Sequence, residues 1–142
     1  MANNYTMFSC VLDVKTVENV SRAIEIHNEL KRDENDGWLH STYEVESYKN
    51  DTEIGIYAES SGNMEALSFF VCKCAAEFDL QGMWATTYAN TCSKMRTDGF
   101  DGGAILIDLT ERCLVDTINS RVWLEDKLAD ANSAETQSTQ EN

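Results

Sequence analysis

A chain of 142 residues is long enough for one domain that folds around its own core without metal or disulfide staples. Its 25 acidic residues against 11 basic ones leave a net charge of −14, which excludes a conventional nucleic-acid binder and disfavours anionic membrane faces, because both partners require cations. An apolar content of 42% with 9% aromatics argues against wholesale disorder, and the absence of proline suits regular elements joined by short turns.

Tyr5 to Val14 alternates, with Phe8, Cys10, Leu12 and Val14 on one face, the pattern of a half-buried strand. Thr16 is placed to cap a helix in which Val17, Val20, Ile24, His27 and Leu30 recur at helical spacing. The polar run Asp33-Glu34-Asn35-Asp36-Gly37 reads as the loop that ends it. Two strands follow as a hairpin about Asn50-Asp51. In the first, Tyr43 and Val45 face one way and Glu44, Glu46 and Tyr48 the other. In the second, Ile54, Ile56 and Ala58 alternate with Glu53, Tyr57 and Glu59.

Ser60 to Asn63 supplies capping residues for a second helix, whose apolar stripe is Met64, Leu67, Val71, Cys74, Ala75 and Phe78. Gly82 opens a strand from Met83 to Ala89, followed by a loop from Asn90 to Gly103. Ala104 to Leu109 and Arg112 to Thr117 read as a closing hairpin, and Asn119 or Ser120 caps a short helix carrying Val122, Trp123 and Leu128. From Ala129 the chain is polar without large apolar side chains and reads as a disordered tail. The expectation is a single α+β domain over 1–128 with a polar tail at 129–142. Its order, β-α-β-β-α-β plus a C-terminal hairpin and helix, is that of a ferredoxin-like antiparallel sheet with two helices on one face.

If both helices cover one face, strand residues of opposite parity meet water or a partner. On the central hairpin these are Glu44, Glu46, Tyr48, Glu53, Tyr57 and Glu59, with Asp33, Glu34 and Asp36 in the preceding loop as further acids for the same partner-binding surface. Residues 33–79 hold eleven acidic and two basic residues, a net −9, so most of the charge lies in one third of the chain. Residues i and i+2 on a strand lie about 6.5–7 Å apart, comparable to successive phosphates of a nucleic-acid strand. Sheet-face aromatics also suit RNA-binding modules, but here their neighbours are carboxylates that repel a phosphate backbone. The field instead suits basic proteins, including the grooves of nucleic-acid enzymes; the plainer reading of acidity is solubility.

No catalytic set, metal site or cofactor motif stands out. Cys72 and Cys74 lie two apart in a helical pattern, so they point about 200° away from one another, which is poor zinc-ligand geometry. His27 on an apolar stripe reads as structural, and His40 has no assigned partner. Cys92, with Lys94 and Arg96 close by, is the candidate nucleophile of a thiol-enzyme or ligand-binding alternative. Cys10, Cys72, Cys74, Cys92 and Cys113, odd in number and mostly inside apolar runs, suggest reduced thiols and a cytoplasmic setting. Met1 to Cys10 lacks the features of a signal peptide, and no run approaches the roughly 18 apolar residues of a membrane span.

The segment Trp84 to Ile107, with Ala89-Asn90-Thr91-Cys92-Ser93-Lys94, Phe100 and Gly102-Gly103-Ala104, resembles small acidic proteins encoded by bacteriophages and prophages. The likeness extends to the opening strand Tyr5 to Ser9, the acidic middle and Trp123-Leu124-Glu125. It implies a phage origin. In size and charge the chain is similar to anti-CRISPR and DNA-mimicking antirestriction proteins, which implies a non-enzymatic inhibitor of a basic host nuclease or CRISPR effector, acting in the host cytoplasm as a monomer or homodimer. The alternative is a structural module that self-associates through its sheet.

Overall fold

The computed structural model describes the backbone of residues 3–141 and the side chains of residues 3–133. It has six strands and four helices in the order β1 (Asn4–Asp13), α1 (Val17–Lys31), α2 (Gly37–His40), β2 (Glu44–Ser47), β3 (Glu53–Ala58), α3 (Met64–Phe78), β4 (Met83–Cys92), β5 (Asp101–Asp108), β6 (Cys113–Asn119) and α4 (Ser120–Glu141). The strands form one antiparallel sheet in the order β2-β3-β1-β4-β5-β6. The protein is therefore α+β.

Alternation along the strands decides what the sheet buries. Phe8 and Leu12 of β1, Ile54, Ile56 and Ala58 of β3, and Ile105 and Ile107 of β5 share one core with Val20, Ala23 and Ile26 of α1 and Leu67, Phe70, Val71, Cys74 and Ala75 of α3. α1 and α3 thus pack on the same side of the sheet. α1 starts where Thr16 Oγ1 accepts from Asn19 N at 3.0 Å, and α3 where Asn63 Oδ1 accepts from Ala66 N at 3.0 Å. Each cap satisfies a backbone N–H that has no partner inside the helix. α3 ends at Asp79, which adopts the left-handed conformation, and Gly82 at φ +94° turns the chain into β4.

Four features differ from the sequence reading. The stripe of α1 is broader than its spacing suggests: Val20, Ile24, His27 and Leu30 meet the core as expected, Ala23 and Ile26 join them fully buried, and Val17 is exposed. The polar run after α1 leads into a one-turn helix, α2, too short to show a period; a Cβ on its buried Gly37 would run into the Lys31 carbonyl. β4 continues through Cys92 and β5 begins at Asp101, so the expected 90–103 loop shrinks to residues 93–100. α4 runs past Leu128 through the segment expected to be a polar tail, to Glu141.

The helices are locked to β1 and β2 by an aromatic cluster. The His27 ring lies 4.6 Å from Tyr43 and 5.8 Å from Phe70, and Tyr43 lies 5.9 Å from Phe70 and 6.5 Å from Phe8. His27 Nε2 sits 2.7 Å from the His40 carbonyl, and since a carbonyl only accepts, that nitrogen carries the proton. His40 Nδ1 meets the Tyr43 hydroxyl at 2.6 Å. Burial pushes the Tyr43 hydroxyl above its ordinary range and holds both imidazoles below theirs. Phe70 is fully buried at the centre of this cluster. Phe70→Ala should destabilise the protein by about 3–5 kcal/mol, read from urea unfolding.

The histidines give stability a pH dependence with a defined sign. Their pKa values in the folded protein lie below the ordinary 6.5, so below that pH the unfolded chain takes up protons that the native protein refuses. Their contribution is complete above pH 6.5 and is lost as pH falls from there towards the folded pKa values. His27→Gln, which keeps an N–H for the His40 carbonyl, should flatten the decline of the urea midpoint between about pH 6.5 and 5, a window above carboxylate titration. An unaltered slope in that variant would assign the decline to other groups.

Candidate functional site

The parity of β2 and β3 that faces away from the helices carries the acids. Glu44 pairs across to Tyr57, which pairs to Ser9 of β1; Glu46 pairs to Gly55, which pairs to Val11. Side chains directly opposite on antiparallel strands stand about 4.5–5.5 Å apart at Cβ, so these residues are immediate neighbours. Glu59 follows β3 on the same side and borders one hollow with Glu44 and Tyr57. The Tyr48 ring lies over Gly55, where a Cβ would come within 3.2 Å of Tyr48 Cδ2. Lys49 folds back so that Nζ is 5.8 Å from the centre of that ring. At the turn, Asn50 donates from Nδ2 to the Glu53 carboxylate, and Tyr48 N donates to Glu53 O at 2.9 Å. The structure therefore gathers Glu44, Glu46, Glu53, Glu59, Tyr48 and Tyr57 on one open face.

The Tyr57 hydroxyl reports the resulting field. Its pKa is raised, chiefly by the Glu46 carboxylate, then by partial burial and by Glu44 and Glu59. Three carboxylates act on one phenol because ionising it would add a fourth negative charge to the patch.

The same face becomes less charged towards its far edge. Across β4, β5 and β6 a row of this face runs through Thr87, Ala104 and Ile118. Between the halves, Met7, Ser9, Tyr57, Glu59, Thr87 and Ala89 border a shallow hollow of about 490 Å³. The open face thus concentrates its carboxylates on β2–β3 and carries mostly small and apolar side chains on β4–β6, where Asp108 and Asp116 share its parity.

Asp33, Glu34 and Asp36 do not join this face. Asp33 and Asp36 line a separate hollow of about 350 Å³ on the helix side, with His40, Glu65 and Phe69. Asp33 Oδ1 accepts from Asn35 N at 2.8 Å and Asp36 N at 3.0 Å, and those backbone bonds pull its pKa down. Glu34 is exposed on the intervening loop. The sequence placed these three beside the hairpin because they are near in the chain, but the α1–α2 corner carries them to the other layer.

Around Cys92, Asn90 ties three strands together, accepting from Thr6 Oγ1 at 2.7 Å and donating to Asp101 Oδ1 at 2.5 Å. Cys92 is buried beneath the loop, where a Cβ on Gly99 would come within 2.6 Å of its own Cβ. Arg96 is held by Asp98 through two contacts of 3.1 Å, so its guanidinium is committed to that carboxylate. All five cysteines are free thiols, and burial pushes Cys10 up to about 11 and Cys74 up to about 12. Among the described residues no group of three or more His, Cys, Asp or Glu side chains is arranged to hold a metal ion, and no helix is long and apolar enough to cross a membrane.

The sequence reading missed a second unusual surface. Leu114, Val115 and Ile118 of β6, and Val122, Trp123, Leu124 and Leu128 of α4, are all exposed. The signal was the adjacent pair Leu114-Val115, which breaks the alternation of a one-sided strand.

No protein-family model, curated protein or solved structure matches the chain. The face itself can be tested directly. Replacing Glu46 by Gln removes the largest influence on Tyr57, so the Tyr57 titration, followed by NMR of the labelled tyrosine ring, should move down towards the ordinary value of 10. Glu34→Gln, on the other layer, should leave it in place.

Proposed function

We propose that the protein is a non-enzymatic binding protein whose acidic half-face occupies the basic, nucleic-acid-handling surface of another protein. The observation that carries this reading is the placement of Glu44, Glu46 and Glu59 around Tyr57 on one open face. Charge gathered this tightly costs the fold repulsion that scattered acids would avoid, and solubility alone does not require it. Strand spacing sets these carboxylates apart by distances close to those between phosphates, while Tyr48 and Tyr57 add flat contact area at the centre. We read the strand order β2-β3-β1-β4, with α1 and α3 on one side, as a ferredoxin-like unit extended by β5, β6 and α4. In that reading the open face is the natural place for a partner. A phage-encoded protein of this kind would act in the host cytoplasm on a defence nuclease or CRISPR effector, displacing DNA or RNA by mimicking its charge.

Immobilised protein should retain a basic protein from a bacterial lysate at low salt and release it as salt is raised, because close charge pairs are screened. Duplex DNA should compete for the retained protein. Each of Glu44→Lys, Glu46→Lys and Glu59→Lys should weaken retention roughly tenfold, about 1.4 kcal/mol. Glu34→Lys, off the face, should have little effect. Retention that survives all three reversals together would remove mimicry as the mechanism.

A further inference from the structure

α4 is a helix without a groove. From Val122 to Leu128 every side chain is exposed, so among the described residues no other element buries this stretch. Isolated helices are marginal in water, and helices in proteins owe most of their stability to a packed apolar face. Trp123, Leu124 and Leu128, which fall within one 140° arc of the helix, nevertheless stand about half exposed, at 49–55%.

The same chain holds a groove without a ridge. Where the sheet extends past α3, Met64, Phe69 and Cys72 of α3 face Ile105, Leu114 and Thr117 of β5 and β6 across a cleft of about 570 Å³. Its lining includes one acid, Glu65, and one base, Arg112.

α4 cannot reach its own groove. β6 ends at Asn119 and α4 begins at Ser120 with no residue between, whereas a helix folding back over the preceding strand needs a connection of about two to six residues. The start of α4 is also fixed in direction. Asn119 Oδ1 accepts from Arg121 N at 3.0 Å, and Arg121 donates to the carbonyls of Thr97 and Phe100 at 3.0 and 3.1 Å.

We propose that a second copy of this chain supplies the missing cover: the protein is a homodimer in which α4 of each protomer lies in the α3/β5–β6 groove of the other. Ridge and groove occur together in one sequence, so two copies satisfy both at once by a twofold exchange. The surface area is adequate. Trp123, Leu124 and Leu128 of the ridge with Phe69 and Leu114 of the groove, each about half exposed and at roughly 100 Å² apiece, present about 500 Å² of apolar surface per protomer, against about 800 Å² in total per partner in a stable interface, of which about 65% is apolar in homodimers. The charge is permissive as well. On a chain of net −14, residues 113–128 carry Asp116, Glu125 and Asp126 against Arg121 and Lys127, a net of −1, so this is where two like-charged copies can approach.

Sedimentation velocity of the full chain between about 1 and 100 μM should show a dimer. Leu124→Glu with Leu128→Glu breaks the ridge, and Phe69→Glu breaks the groove; each should give monomers with the wild-type circular dichroism of the core. Leu124→Ala with Leu128→Ala keeps helix propensity and should still weaken the dimer at least tenfold. Mixing the ridge-broken and groove-broken chains restores one intact ridge–groove pair, so mixed dimers should form where neither variant alone dimerises. A wild-type monomer at the highest concentration, a dimer indifferent to both changes, or a mixture that stays monomeric would each overturn the proposal, the last because an interface of α4 against α4 gains nothing from mixing.

Discussion

The sheet is covered on one face only, and the rest of the structure depends on that asymmetry. Leu12, Ile54 and Ile56 are sealed against α1 and α3 with no exposed surface to speak of, and their strand neighbours of opposite parity are left to solvent. Because the side-chain period of a strand is two, a one-residue slip of β3 would drive Glu53, Tyr57 and Glu59 towards the core and expose Ile54 and Ile56. Burying unpaired carboxylates is so costly that the acids on the open face help to fix the register of the apolar residues behind them. The pattern that makes the core also makes the charged surface.

That surface works against stability. Glu44 and Glu46 stand opposite Tyr57 and Gly55 rather than opposite other acids, yet the carboxylates gathered on this face still hold the Tyr57 hydroxyl above its ordinary range. The aromatic cluster of His27, Tyr43 and Phe70 lies directly behind this part of the sheet, tying α1, the approach to β2 and α3 together. The rigid packing beneath β2 and β3 allows a strained charge pattern to persist on top. Even the bases nearby are committed elsewhere: Lys49 lies against the Tyr48 ring, and Arg22 is engaged by Glu29 and Glu77 on the helical layer.

Most strands and both long helices were legible because their periods extend over enough residues to be counted. The hairpin acids were legible for the same reason, since alternation assigns a face without any knowledge of the fold. Asp33, Glu34 and Asp36 were misplaced because proximity in sequence says nothing about a turn of helix that redirects the chain. Gly102 and Gly103 read as loop residues, yet they continue β5, where the absence of Cβ lets the backbone lie close against Tyr88. α4 was read as short because its apolar residues stop at Leu128, and composition alone does not distinguish a polar helix from a polar coil.

Charge segregation links the two ends of the sheet. Were the acids spread evenly, every approach of one copy to another would meet repulsion, and every basic partner would find many equivalent weak sites. Confining the strongest field to β2 and β3 leaves β6 and the first turns of α4 with little net charge, at the opposite edge of a six-stranded sheet. With strands about 4.8 Å apart, the two edges are separated by roughly 24 Å, well beyond the Debye length of about 8 Å at physiological salt. Association at the weakly charged edge is therefore insulated from the acidic face. A dimer joined there carries two such faces, so a target with two basic sites within reach would be held by both, and the second contact would form at the effective concentration set by the first.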